Sequence, residues 1–253
     1  MKHHATHARG WYKTKKNMKQ LLTIMVAVIA VGWTWARDDA QQQYIQVDWY
    51  PLLTDSVGWN IYSGGLGLGW VDATSTPASF KTGRSLELQW LTVVGAKYNT
   101  GHGQRITAGI GIDWRNYHLG NNMRFTLASD GRLAVLPYPD GSSSRSSRLR
   151  TFSLTVPVIF RQRIGAGIDI AAGIVTDFNV HASMATKYND DAEGKIKENA
   201  SKHLHQVPVS IDLIAGLSFH RLGAYVKYSP CRVLKKGWGP EIKPLSAGIA
   251  IGL

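Results

Sequence analysis

The sharpest candidate for catalysis in the sequence is the short motif His181-Ala182-Ser183. Residues i and i+2 of a strand share a face, so the imidazole of His181 could polarise the Ser183 hydroxyl as a nucleophile. An acid that orients this imidazole would have to be Asp177 or Glu193, and the spacing favours neither. A polar strand end near a rim explains the same side chains, so we expect no catalytic residue and keep His181 and Ser183 only as candidates.

Other residues with chemical potential do not form a recognisable ligand set. The glycine-rich stretch 64–69 lacks the GxGxxG spacing of a dinucleotide loop, and no helical pattern follows it. The histidines are dispersed without the spacing of a zinc site. His203 and His205 share a strand face and could meet a metal ion as a pair, but a solvated strand end accounts for them better. We therefore expect neither a metal ion nor a cofactor.

The N-terminus has the parts of an export signal. An apolar run of 11 residues, 21–31, follows Lys19 and precedes Thr34-Trp35-Ala36. This run is short for a bilayer-spanning helix, and small residues mark a cleavage position after Ala36. We expect an N-terminal extension and signal peptide over residues 1–36 and one domain over residues 37–253.

The basic charge of the chain is concentrated in this N-terminal segment. Six of the 29 basic residues and none of the 17 acidic residues precede Ala36, so the formal charge falls from +12 to +6 once the segment is removed. The remaining excess is scattered along the chain. We therefore expect no nucleic-acid partner.

The mature chain alternates apolar and polar residues with period two, which predicts strands with two different faces. The clearest strand runs from Phe152 to Phe160, and similar patterns occur near 57–70, 86–98, 106–114, 168–179, 207–219, 222–228 and 245–253. Gly64-Gly65 shifts the phase of the first strand, which indicates a bulge.

Strand length and connection length together favour a membrane barrel. Several strands reach 12 or more residues, and long connections at 72–84, 119–146, 182–202 and 229–244 alternate with short turns. Within the long connections, 141–148 resembles a mobile Ser/Arg-rich segment, and Ala192–Ala200 predicts a short helix or a disordered tip. Short periplasmic turns opposite long outer loops, with aromatic residues near strand ends, are typical of outer-membrane barrels. We expect an all-β fold, a single eight-stranded antiparallel transmembrane barrel, with ten strands as the alternative.

The polar phase of the strands should face the lumen. An eight-stranded barrel is only wide enough to be filled by side chains, so charges there must pair. Five acids and five bases balance, which predicts a salt-bridged interior that conducts ions poorly. The predicted network is Glu87, Lys97, Asp113, Arg115, Arg161, Arg163, Asp169, Asp177, Asp212 and Lys227.

Over most of residues 43–253 the chain resembles the PorT-like small outer-membrane β-barrels of Gram-negative bacteria. The resemblance is carried by the strand Phe152–Phe160 with its late Pro157, by the following Gly-Ala-Gly-Ile-Asp-Ile segment, and by the closing strand Leu245–Leu253. Thr155 and the terminal Leu253 depart from that pattern, where a carboxylate and an aromatic residue are usual. The resemblance implies an integral outer-membrane protein and supplies no catalytic residues.

Three functions follow as hypotheses. The first is a structural, adhesive or envelope-machinery role, with outer-membrane lipids, lipopolysaccharide, the barrel assembly machinery and an envelope protein as partners. The second is a lipid A deacylase, because His181-Ala182-Ser183 is similar to the His-x-Ser arrangement of those eight-stranded enzymes. The third is a narrow porin or ligand carrier. The basic residues of the last loop, Arg232, Lys235, Lys236 and Lys243, could contact lipopolysaccharide phosphates.

Overall fold

The computed structural model describes residues 58–73, 80, 82–120, 122–165, 167–191, 194–201 and 204–253. The proposed export segment with its cleavage position, together with Glu193 and His203, lies outside the described residues. Among the described residues, no helix has the length and apolar character needed to cross a membrane.

Eleven strands and one 3-10 turn at Thr82–Arg84 make up the described secondary structure. The strands are β1 (Gly58–Ala73), β2 (Leu86–Asn99), β3 (Gln104–His118), β4 (Met123–Leu127), β5 (Leu133–Pro137), β6 (Ser143–Gly165), β7 (Ile168–Asp190), β8 (Gly194–Ala200), β9 (Val209–Phe219), β10 (Leu222–Tyr228) and β11 (Pro244–Ile251). Long strands of alternating character are the direct product of the period-two pattern.

Eight of these strands form a closed ring in the order β1-β2-β3-β6-β7-β9-β10-β11, and β11 pairs back with β1. All eight ring pairings are antiparallel. The predicted eight-stranded antiparallel barrel is therefore confirmed. The ten-strand alternative is wrong, because β4 and β5 form a separate two-stranded sheet and β8 pairs only with the far part of β7.

The closing pair of the ring requires glycine. Gly69 lies opposite Gly248 in the β1–β11 register, and a Cβ atom on Gly248 would lie 2.4 Å from the Cα atom of Gly69. Only two residues without side chains allow the strands to approach this closely. The bulge predicted at Gly64-Gly65 is confirmed, since the β1–β2 register shifts between Tyr62 and Gly64.

The two ends of the barrel differ in their connections. At one end, the turn end, short turns join β2 to β3, β6 to β7 and β9 to β10. At the other, the loop end, long connections precede β2 and β11 and join β3 to β6 and β7 to β9. The predicted alternation of short and long connections therefore describes the two ends correctly.

The loop end carries a folded lid. It is formed by β4, β5 and β8, by the part of β6 before Phe152 and by the part of β7 after Val180. Residues 143–148 of the Ser/Arg-rich segment 141–148, predicted as part of a loop, belong to β6, which pairs with β7. Residues 194–200, predicted as a helix or a disordered tip, form β8, with Lys197 opposite Lys187. The predicted loop and the predicted helix are wrong because pairing with a neighbouring strand outweighs local propensity.

Apolar side chains from the lid and the strand ends share one core. Its buried members include Val71, Tyr117, Leu119, Phe125, Leu133, Leu149, Met184, Leu204, Leu234 and Ile242. Hydrogen bonds attach the β4–β5 hairpin to β6 and β7. The Phe125 N–H donates to Ser147 Oγ at 2.8 Å, and Thr186 Oγ1 donates to the Phe125 carbonyl at 2.6 Å. The loop end is therefore covered by packed structure.

Candidate functional site: the lumen and the outer walls

Six of the ten predicted lumen residues meet in one ionic cluster. Arg115 is its centre: Nε donates to Glu87 at 2.9 Å, and Nη2 donates to Asp113 at 2.7 Å and to Asp177 at 3.3 Å. The same Nη2 also contacts Asp212. Glu87 lies directly opposite Arg115 in the β2–β3 register, whereas Asp177 on β7 and Asp212 on β9 meet Arg115 inside the lumen from strands that do not pair with β3.

Lys227 is the second base of the ionic cluster. Its Nζ lies 2.6 Å from Glu87 and 2.7 Å from Asp113, and it donates to Gln89 at 2.9 Å. The Tyr225 hydroxyl donates to the other Glu87 oxygen at 3.0 Å. Gln89 and Tyr225 were not predicted. Each lies two residues from a predicted lumen residue, Glu87 or Lys227, and therefore on the same inward face of its strand.

The ionic cluster holds four carboxylates against two bases, and all six side chains are almost fully buried. Buried like charges repel strongly, so an excess of two negative charges calls for bound protons or a cation. Asp113, Asp177 and Asp212 each bond through one oxygen, and the other, Oδ1, has no hydrogen-bond partner among the described residues. Their carboxylates also offer three oxygens within 4.8 Å of one another, a spacing that a hard cation can use.

The other four predicted lumen residues lie near the turns: Lys97, Arg161, Arg163 and Asp169. Arg105, which was not predicted, lies with them. Asp169 accepts from Arg105 at 2.5 Å and from Arg163 at 3.4 Å. Arg161 donates to the Tyr62 hydroxyl at 2.8 Å, and Lys97 is buried on the same side of the barrel. Asp169 therefore binds two of the bases near the turns, Arg105 and Arg163.

An apolar layer separates the two charged groups. Its members are Leu91, Ile159, Ala171, Val175, Ile214, Tyr225, Ala250 and Leu253. Along β7 the order from the turn end is Asp169, then Val175, then Asp177, which shows the layering within one strand. The five acids and five bases counted in the sequence are thus divided unequally along the barrel.

The outer surface of the ring is apolar. In the part of the chain that the structure describes, 29 of 30 exposed large hydrophobic side chains lie on the eight ring strands, and Leu136 of the lid is the exception. Aromatic side chains mark both limits of this surface. Trp70, Trp114, Phe152 and Phe178 lie toward the loop end, and Trp59, Tyr98, Phe160 and Phe219 lie toward the turn end.

The apolar side chains of β6 and β7 face outward in the ring and inward in the lid. On β6, Phe152 to Phe160 present apolar residues outward, whereas Leu149 points inward and Arg148 and Arg150 point outward. On β7 the same exchange follows the register shift at Val180-His181, after which Ala182 and Met184 are buried. The exchange separates a wall that suits hydrocarbon from a wall that suits water.

The structure places His181 and Ser183 on the outer face of β7, just beyond this exchange. His181 is exposed and lies opposite Phe152, and Ser183 lies opposite Arg150. No hydrogen bond joins the two side chains within the described part of the chain. Asp177 points into the lumen, where it contacts Arg115, so it cannot orient this imidazole. His205, the other candidate, stacks on Trp238 with ring centroids 3.5 Å apart.

Aromatic and basic side chains of the lid pack on one another. Arg124 donates to the Tyr188 hydroxyl at 2.8 Å, and the Tyr138 ring meets Tyr188 edge-on at 5.5 Å. Burial raises the pKa of Tyr138, and the nearby Arg124 opposes that rise. These contacts give the lid its own internal order.

Comparisons with known proteins assign no family. No model of a known protein family matches the chain, and no curated protein matches it. Among solved structures, the chain is similar to Ail, the attachment invasion locus protein of Yersinia pestis, at a TM-score of 0.37 and 10% identity over 78% of this chain and 99% of that one. Ail in complex with the heparin analogue sucrose octasulfate gives a TM-score of 0.36 and 12% identity over the same shares. The fold assigned here therefore rests on strand pairing, and the PorT-like resemblance stays a prediction.

The excess of carboxylates predicts opposite effects for two substitutions in the ionic cluster. We expect Arg115→Met to lower the free energy of unfolding by about 3–5 kcal/mol, because it leaves four buried carboxylates with one base. We expect Asp177→Asn to cost less than about 1 kcal/mol or to stabilise the barrel, because it removes one of the surplus charges. Urea unfolding of the folded barrel in lipid vesicles measures both. Equal destabilisation by the two variants would contradict the assignment of a negative excess.

Proposed function

We propose that the protein is an integral outer-membrane β-barrel that anchors a folded lid at the cell surface and has a structural, adhesive or envelope-machinery role. The observation that carries this proposal is the apolar outer wall of a closed ring, bounded by aromatic side chains at both ends. In hydrocarbon every backbone polar group must be paired within the protein, and a closed ring achieves this. A water-soluble barrel would instead bury its apolar face inside.

The two ends support an orientation. Short turns face the periplasm and long connections face outward in barrels of this class. The turn end would then be periplasmic and the lid extracellular, which agrees with an export signal before the first strand. Insertion would need the barrel assembly machinery, and an envelope protein partner would meet the lid or the turns.

The lumen favours an anchor over a porin. The ionic cluster, the apolar layer and the turn-end charges fill the interior in sequence, and the lid core covers the loop end. Arg161, Tyr62 and Lys227 are among the largest side chains buried there. Since these side chains fill the interior, we assign the specific function to the surface of the lid.

The membrane assignment predicts that a charge on the outer wall is costly and that the same charge on the lid is not. Leu213, at the middle of β9, is 51% exposed on the outer wall, and Leu136 of the lid is 45% exposed. We expect Leu213→Arg to destabilise the barrel by about 2–4 kcal/mol in vesicles, because arginine then faces hydrocarbon. The matched control Leu136→Arg should leave the urea midpoint unchanged.

Cell fractionation completes this test. The wild-type protein should be recovered in the outer membrane and should migrate differently on gels with and without boiling. Recovery in the soluble periplasmic fraction without a mobility shift, or equal tolerance of both arginine substitutions, would refute the membrane assignment.

The filled lumen predicts poor conductance that does not depend on the lid. In planar bilayers we expect no large steady conductance from the wild type. Replacement of residues 124–136 with a short Gly/Ser linker should leave conductance low, because the ionic cluster and the apolar layer still fill the barrel. A large steady current from the wild type would support the porin hypothesis, and a current from the linker variant alone would place the seal in the lid.

The lipid A deacylase alternative predicts a different result. His181 and Ser183 share a face near the lipid interface, but no described acid orients His181. We expect His181→Ala and Ser183→Ala each to leave the acylation pattern of lipid A unchanged in mass spectra of cells that express the chain. If either variant removes a deacylated species that the wild type produces, the alternative is correct.

A further inference from the structure

The outer wall beyond the apolar surface carries a cluster of cations, the basic wall, formed by Arg148, Arg150, Lys187, Lys195 and Lys197. The strand register brings them together, since Arg148 and Arg150 lie on β6, Lys187 lies on β7, and Lys197 of β8 is directly opposite Lys187. Ser146 of β6 lies opposite Lys187 on the other side. Three adjacent strands therefore present one face of like charge.

Among the paired residues of β6, β7 and β8 no acidic side chain lies on this face, and exposed Asp191 follows in the turn after β7. The residues that alternate with the cations on the same face are Ser183, Ala185, Asn189 and Asn199. Glu198 points to the opposite side of β8, where it accepts hydrogen bonds from Thr126 and from the Leu127 N–H. Arg148 and Arg150 lie close enough to repel each other, and Arg150 has a buried Nε without a partner within the described residues.

The basic wall begins where the apolar surface ends. Arg150 is two residues from Phe152, and Phe152 pairs with Trp114 of the aromatic limit and with His181. A pocket of about 250 Å³ opens at the level of His181, lined by Val180, His181, Ala182, Ser201, Leu204, His205 and Gln206. A lipid lying against the apolar wall would place its headgroup against these cations.

We propose that the basic wall binds the phosphorylated headgroup of an outer-leaflet glycolipid of the lipopolysaccharide class. The proposal rests on the membrane placement given above. Guanidinium groups bind phosphate through paired hydrogen bonds, and a like-charged, partly desolvated pair gains most from a shared anion. The apolar wall beneath supplies the contact for the acyl chains, so one amphiphile satisfies both surfaces.

The sequence predicts a lipopolysaccharide contact at the last loop, and the basic wall is a second candidate for this contact. Arg232 and Lys243 of that loop contact Glu241 at 2.9 Å and 3.1 Å. Exposed Lys235 and Lys236 remain there as a competing phosphate site. The basic wall presents more cations on one surface.

The test uses the full chain expressed in cells, extracted from their membranes and reconstituted into phosphatidylcholine nanodiscs. The midpoint of heat unfolding, read from gel mobility, is measured against the mole fraction of diphosphoryl lipid A, with phosphate-free lipid A as the chemical control. A ligand that binds only the folded state raises this midpoint. We expect the diphosphoryl form to raise it and the phosphate-free form to have little effect.

Two double variants locate the effect. Arg148→Ala with Arg150→Ala should weaken the apparent affinity for diphosphoryl lipid A by about tenfold or more, since each loses a charged hydrogen bond. Lys235→Ala with Lys236→Ala removes the same charge and should bind as the wild type does. Retention of binding by the arginine variant, loss of it by the lysine variant, or an equal response to phosphate-free lipid A would overturn the proposal.

Failure of this inference is distinguishable from failure of the membrane assignment. A barrel that enters lipid-A-free nanodiscs with heat-dependent mobility, but does not respond to lipid A, refutes only the basic wall. A chain that fails to enter any nanodisc refutes both.

Discussion

The constraint on which the rest depends is the closure of the sheet. A strand in hydrocarbon has no water to satisfy its backbone groups, so the first strand must pair with the last. Gly69 and Gly248 make that pairing close enough, and every other ring strand pairs with neighbours on both sides. Once eight strands close, the diameter is fixed and the interior has room only for side chains. The lumen chemistry is therefore a consequence of the ring.

A filled, closed interior makes the arrangement of charge decisive. Arg115 contacts four carboxylates, whereas near the turns Asp169 is contacted by two bases, Arg105 and Arg163. The apolar layer between these groups lowers the local polarity and keeps them apart. Of the ten predicted lumen residues, four acids and two bases thus lie below the lid, and one acid and three bases lie near the turns.

Period-two alternation predicted the ring because it is a local property of each strand. It supplied the number and the lumen face of the strands, whereas the alternating short and long connections supplied their direction. Extending the pattern by one residue at β3 would have added Arg105. Alternation does not give the height of a residue on the barrel axis, so the separation of Asp169 from Asp177 was not predictable. The beginning of β6 was missed because its outward residues are Ser and Arg, a composition typical of loops. The one feature of this segment that indicated a strand was the apolar Leu149, which faces inward.

The exchange of faces on β6 and β7 connects these points. The same alternation continues from Phe160 to Arg148, but the apolar residues change from the outer to the inner face near Phe152. In the proposed membrane placement, hydrocarbon surrounds the barrel below that level and water surrounds it above, so the polar residues of the lower part must be inside. In the upper part the apolar residues form the lid core and the cations face outward. One sequence pattern therefore builds two walls from continuous strands, and the boundary between them is where an amphiphilic lipid changes from acyl chain to headgroup.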